Sequence, residues 1–200
     1  MSINLKSINP KFKELFTGTF GFAKDEFNLF LSHFNIKHIS KKDFYLRAGD
    51  VCNAKAYLNK GCARNFVVDE QGHERILFFA FEDWWIGDFE SYYSDKPGTN
   101  YVQAIEDCEL LIIPKGKFME LEEKIPKLKQ WYTVKLTRAA SASRKRMEEM
   151  KTLSPEERYL ELLEKQPQIF QRVPLQFIAS FLNIEPQSLS RMRKRLTEKH

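Results

Sequence analysis

Only three cysteines, Cys52, Cys62 and Cys108, occur in the 200 residues. They are widely spaced and include no CxxC pair, which argues against a disulfide framework, a zinc site or an iron–sulfur cluster. Reduced thiols in a cytoplasmic protein are the expectation. Long apolar runs are missing too: Ile76 to Phe81 is the longest, far short of the roughly 20 residues a bilayer-spanning helix needs. No charged, apolar, small-residue leader opens the chain, so a soluble protein with no membrane partner is expected. A nucleophile elbow, a P-loop, an HExxH pair and a spaced set of metal ligands are also lacking. That excludes the commonest enzyme classes and leaves no metal or cofactor assigned.

What is present is a chain with 42% hydrophobic residues, enough to bury one large and one small core. Its charge is unevenly placed. Residues 127–200 carry 16 Lys and Arg against 8 Asp and Glu, a basic half of the kind that binds phosphate backbones. Within it, Phe177, Ile178, Phe181 and Leu182 recur at helical spacing, Asn183 and Ile184 make a turn, and Pro186 suits the first turn of a second helix. In that helix Leu189, Met192 and Leu196 face a core. Gln187, Ser188, Ser190, Arg191, Arg193, Lys194 and Arg195 are left largely outside, where a helix would read a DNA major groove. An ordinary helical hairpin with a solvated basic flank has the same spacing.

Upstream, Phe12 to Phe34 hold apolar positions suited to short helices. Between about 36 and 114 the texture becomes short strands and turns. Asp69 to Gly72 separates Arg64–Val68 from Arg75–Phe79 as a hairpin, and Tyr101–Ile105 pairs with Cys108–Ile113 around Glu106 and Asp107. Short strands at this spacing indicate a sandwich or jelly-roll barrel. After Pro126, Leu128, Tyr132, Leu136, Ala139, Ser143, Met147 and Met150 mark a helical stripe, long enough to span roughly 35 Å. That helix either docks on its own barrel or pairs with a second copy. Ser154-Pro155-Glu156-Glu157 is a capped restart. The fold expected is α+β, with a β jelly-roll domain over 1–126, a long helix over 127–152 and a helix-turn-helix domain over 153–200.

Arg47 to Asp50, Leu58 to Arg64, the Asp69 to Gly72 turn, Gly87-Asp88, Val102 to Ala104, and Ile178-Ala179 through Leu189 to Arg191 occur in an order that resembles the Crp/Fnr superfamily of bacterial transcription regulators. The resemblance implies a cyclic-nucleotide-binding-like domain, double-stranded DNA as partner, a homodimer, and RNA polymerase as a further candidate partner. It places Pro186, Gln187 and Arg191 among the base-reading positions. Ser188 and Ser190 are candidates for base or phosphate contacts, and Arg193, Lys194 and Arg195, with Arg144 to Arg146 upstream, for phosphate contacts. The β-hairpin wing that commonly follows the recognition helix has no counterpart before His200: either the wing is naturally absent or the chain is shortened, and wing contacts are not expected from these residues.

The family's phosphate cassette opens Gly-Glu and ends near Arg-Ser or Arg-Thr. Here Gly87-Asp88 fills the opening, and Gly98, Thr99 and Asn100 fall at the end. Aspartate is one methylene shorter than glutamate, Gly98 has no charge, and Lys96 is a point charge and not a fork. The effector expected is therefore not cyclic AMP. Either another small molecule binds, with Trp84, Trp85, Tyr92, Tyr93 and Tyr101 as candidate contacts, or the pocket is empty. An iron–sulfur sensor would need a fourth cysteine, and His33, His38 and His73 do not stand out as haem ligands. The alternative to a DNA-binding regulator is a sensor module whose output is a protein partner.

Overall fold

Alternating apolar residues through the middle of the chain pair into two antiparallel sheets in the computed structural model, which describes residues 8–197. Residues 1–7 and 198–200, the outer ends of the first and last sequence-based segments, lie outside the described residues. The strands are β1 Asn35–Ile39, β2 Phe44–Leu46, β3 Ala54–Lys60, β4 Ala63–Val68, β5 Glu74–Ala80, β6 Trp84–Ile86, β7 Tyr101–Ala104 and β8 Cys108–Pro114. One sheet has the order β1-β8-β3-β6 and the other β2-β7-β4-β5, a two-sheet roll as the strand spacing implied.

The expected pairing of Tyr101–Ile105 with Cys108–Ile113 is incorrect. β7 pairs with β2 and β4, while β8 pairs with β1 and β3. The chain changes sheets at two corners that pack on each other. Gly61, at φ +105°, turns β3 into β4, and a Cβ there would stand 2.6 Å from the Asp107 carbonyl oxygen. The N–H groups of Ile105 and Glu106 both donate to the Cys62 carbonyl, at 2.8 and 3.2 Å. Shared hydrogen bonds at the crossing thus replace a local hairpin turn.

Nine helices are described: α1 Pro10–Lys13, continuing into a wider π-type turn over Glu14–Thr19, then α2 Lys24–Ser32, α3 Phe89–Ser94, α4 Lys115–Lys124, α5 Lys127–Thr152, α6 Pro155–Lys165, α7 Ile169–Arg172, α8 Leu175–Leu182 and α9 Pro186–Thr197. The chain divides into two compact units. One runs to Val67 and includes Phe79–Lys135; the other joins Val68–Phe78 to the residues from Leu136 onward. The partition differs from the sequence-based segments: the tip of the β4–β5 hairpin clusters with the helical unit, and α5 is shared between the units.

In the roll unit the dominant core is aromatic. Phe12, Phe16, Phe30 and Trp131 are buried with Tyr57, Trp85, Leu111 and Phe118. Phe12 alone lies 5.0 Å from Phe16, 5.6 Å from Phe34 and 4.7 Å from Tyr57, centroid to centroid. Each such ring stabilises by about 1.5–3 kcal/mol through burial, with about 0.5–1.5 kcal/mol more per well-oriented ring pair. Leu128, Trp131 and Tyr132, the first turns of α5, belong to this core.

The helical unit is built on Tyr159, Leu162, Ile169, Val173, Ile178, Ala179, Leu182, Leu189 and Met192, all buried. Ser154 caps α6 as its sequence foretells. Its Oγ accepts from the Glu157 N–H at 3.3 Å, and Glu157 accepts from the Ser154 N–H at 2.8 Å. Arg146 fastens α5 to its neighbours by donating to the carbonyls of Ile76, Leu77 and Phe181, with its guanidinium 3.8 Å from the centre of the Phe181 ring. Ser180 adds a bond from its Oγ to the Glu74 carbonyl at 2.8 Å.

Candidate DNA-binding helix and candidate effector cassette

Asn183 makes the helix-turn-helix geometry. At φ 55° it occupies the left-handed region that ends α8, and Ile184 N–H then closes on the Ala179 carbonyl at 3.0 Å. Asparagine tolerates this conformation better than other non-glycine residues. Pro186 then starts α9. Leu189 and Met192 are buried and Leu196 is half-buried, as the spacing predicts. Gln187, Ser190, Arg191, Lys194 and Arg195 are exposed, and Ser188 and Arg193 are half-buried.

Two details qualify the sequence-based set. Ser190 Oγ donates back to the Pro186 carbonyl at 3.1 Å, and Arg195 is paired with Glu156 of α6. Arg191, Arg195 and Ser188 line a surface groove with Pro155, Ile184, Glu185 and Met192. Of the upstream basic cluster, Arg144 and Lys145 pair with Glu148 and Glu149 at 3.8 and 3.7 Å. Arg146 is not an outward phosphate contact: its guanidinium is committed to backbone carbonyls, and burial pulls its pKa to about 10.

The cassette residues come together, and they close on themselves. Gly87 has φ +143°, a conformation that favours glycine. Asp88 is only 4% exposed and caps α3, its Oδ1 accepting from the Ser91 N–H at 3.0 Å and its Oδ2 from the Asn100 N–H at 3.3 Å. Ser91 Oγ accepts from the Cys52 N–H at 2.9 Å and donates to the Lys96 carbonyl at 2.6 Å. A Cβ on Gly98 would lie 2.4 Å from Asp88 Oδ2. The absence of a side chain at Gly98 and the inward carboxylate of Asp88 are therefore two halves of one packing solution. Thr99 lies in the same connection, beside Gly98.

The candidate aromatics divide. Trp85 and Tyr92 are buried, whereas Trp84 and Tyr93 are exposed. Trp85 packs against Trp131 and Tyr57, and Tyr101 stacks on Phe66 at 5.0 Å. Lys55, which sequence reasoning passed over, is buried beside Tyr92 and Tyr132. Its signal was the strand alternation that puts it on the same face of β3 as Tyr57. In the α5 stripe, Leu128 and Tyr132 are buried within the roll unit and so do not face outward. Leu136, Ala139, Ser143 and Met147 are exposed, and Met150 is half-buried. His33 is half-buried, and His38 and His73 are exposed. They meet the Leu29 carbonyl, Glu109 and Asp69 respectively. Among the described residues no helix is long and apolar enough to cross a membrane.

A two-sheet roll with a cassette between β6 and β7, followed by a helix-turn-helix, defines a class. Residues 36–124 match the cyclic nucleotide-binding domain family. The chain is 28% identical over 109 residues to the cAMP-activated global transcriptional regulator CRP of Pasteurella multocida, a match covering 54% of this chain and 52% of that one. It thus spans about half the length of the curated relatives it matches. In fold it is similar to the c-di-GMP-responsive global regulator CLP of Xanthomonas campestris, with TM-score 0.73, 17% identity, and coverage of 88% of this chain and 93% of that one. A transcriptional regulator of the Crp/Fnr family from Eubacterium rectale is also similar, with TM-score 0.70, 15% identity, and coverage of 96% and 88%. Residues 36–124 are thus similar to a cyclic nucleotide-binding domain, and the fold is similar to that of Crp/Fnr-type regulators.

Proposed function

We propose that the protein is a sequence-specific DNA-binding transcription regulator that acts as a cytoplasmic homodimer and does not use cyclic AMP as its effector. The observation that carries the reading is α9, whose apolar residues Leu189 and Met192 are buried while Gln187, Arg191 and Lys194 are presented outward. Arg191 is the principal base reader, since its fork suits a guanine edge, and Gln187 suits adenine. Ser188, Ser190, Arg193, Lys194 and Arg195 supply further contacts, Arg195 after release from Glu156. The dimer contact is assigned to the exposed part of α5, Leu136 to Met147, because Leu128 and Tyr132 are used by the chain's own core. Two copies of α9 would then enter successive major grooves about 34 Å apart. RNA polymerase is the expected partner if the output is activation.

The exclusion of cyclic AMP is supported by the closed cassette: a phosphate would compete with Asp88 for the N–H groups of Ser91 and Asn100, with no guanidinium at Gly98 to favour it. Selection of bound duplexes from a random DNA library, at two salt concentrations and with Arg191→Ala alongside, tests the reading. A palindromic consensus that degrades at one position in the variant is the expected result. Binding that is salt-sensitive but indifferent to sequence, or no binding at all, would overturn it; the latter would favour a protein partner.

A further inference from the structure

Lys55 stands on β3 with its side chain turned toward the helices of the roll unit, and the residue is 5% exposed. Its Nζ lies 3.5 Å from the ring centre of Tyr132 on α5, 3.9 Å from Tyr92 and 5.3 Å from Tyr93 on α3, and 4.6 Å from Phe118 on α4. Its hydrogen bond is a long one, 3.5 Å to the Tyr93 hydroxyl. The Tyr92 hydroxyl is buried with no hydrogen-bond partner. Closure therefore leaves both an amine with three potential donors and a phenol poorly hydrated.

The surrounding charges give little help. From the segment before β3 comes Cys52, and from α3 come Tyr92, Tyr93 and Asp95. From α4 come Lys115 and Glu122, and from α5 come Lys129 and Tyr132. Lys115 is spent on the Tyr92 carbonyl at 2.6 Å and on Asp95 at 2.7 Å. Glu122 attracts the Lys55 charge, but burial raises its own pKa. The ring faces return part of what dehydration costs an ammonium. Dehydration is nevertheless the larger effect, and it pulls the Lys55 pKa down to about 7.

We propose that Lys55 and its rings form a proton-operated joint: with Lys55 neutral the cage is closed and holds α3 and the first turns of α5 against β3, and proton uptake opens it to water and loosens both helices. The sign follows from linkage. The open form has an ordinary lysine and the closed form a depressed one, so opening takes up a proton between the two pKa values. Opening therefore becomes easier as pH falls toward about 7 and levels off below it. The same α3 carries Asp88 as its cap and Ser91, which closes the cassette, so acidification would be felt there as well as at the start of the long helix.

Hydrogen exchange of the protein alone, corrected for intrinsic rates, tests this independently of any DNA binding. From about pH 9 to about pH 7, the opening constant for 89–94 and 127–132 should rise by roughly tenfold per pH unit. Lys55→Met should show no such slope and remain protected. Lys55→Arg, whose guanidinium keeps its charge, should show no slope and exchange rapidly throughout. A flat wild-type profile, or the wild-type slope retained in Lys55→Met, would overturn the joint. Should Lys55→Met fail to fold, nitrogen NMR of ¹⁵N-lysine-labelled wild type gives the titration directly. An ammonium at Lys55 deprotonating near neutrality supports the proposal, and one persisting beyond about pH 9.5, near the ordinary lysine value, overturns it.

Discussion

The roll unit buries several of its charges, whereas the helical unit turns Arg146 onto backbone carbonyls but leaves charge exposed on α9. In the roll, Asp88, Lys55 and Arg64 are buried and engage backbone N–H groups, aromatic rings and Gln103 respectively. In the helical unit, Arg191 and Lys194 are exposed on a helix whose buried side is Leu189 and Met192. Both units are stabilised mainly by apolar burial, and the face proposed to meet a large anionic partner is that of α9. The lesson is that a cassette resembling a ligand-binding site can have its polar groups turned onto one another, as Asp88, Ser91 and Asn100 are, while the proposed DNA contacts are assigned to the other unit.

The largest effect expected from breaking this contrast is in the roll's core. Phe12→Ala removes a ring that touches Phe16, Phe34 and Tyr57 and should cost about 3–5 kcal/mol, read from chemical denaturation followed by Trp fluorescence. A loss under about 1 kcal/mol would mean that the cluster collapses around the gap.

Gly98→Arg supplies the guanidinium that the cassette lacks, but its Cβ would meet Asp88 Oδ2. Overpacking of this kind costs about 1–3 kcal/mol. Calorimetry should show the loss with no gain in cyclic AMP affinity, and tight nucleotide binding by this variant would show that the cassette opens readily. In the helical unit, Arg191→Ala should leave stability within about 0.5 kcal/mol while removing about 1–3 kcal/mol of discrimination at one base pair, measured by competition between single-base operator variants. Uniform weakening across all sequences would reassign Arg191 to phosphate. Ser154→Ala, which takes away the α6 cap, should be the mildest at about 1 kcal/mol, and a thermal midpoint unchanged from wild type would show that Glu157 suffices.

Features set by neighbouring residues were the legible ones. The Asp69–Gly72 hairpin, the Ser154 cap, the Asn183 turn and the two faces of α9 each depend on residues within about one helical turn. Strand partnership across sheets was not legible. Val102 and Ala104 alternate as edge and hairpin strands both do, and the contacts where the chain changes sheets join Gly61 and Cys62 to residues 105–108, which are remote in sequence. The α5 stripe continued past Tyr132 in sequence, yet its owner changes there: Leu128, Trp131 and Tyr132 complete the roll's core, and the exposed residues follow. The short helices α3 and α4 were missed. In α3 the cap is Asp88, whose place after Gly87 in the sequence points equally to a ligand contact. For Lys55 the alternation signal existed, but a single lysine among apolar residues on a strand is ordinarily read as an outward-facing position.

Trp85 and Trp131 have ring centres 4.8 Å apart and are both buried, while Trp84 is 39% exposed. Two indoles so close together should couple electronically, and their mutual orientation depends on whether the first turn of α5 is seated against β6. The protein thus carries a built-in optical gauge. The near-ultraviolet circular dichroism of this tilted pair reports the seating of the long helix without any attached dye, and iodide quenching reports separately on Trp84 at the surface.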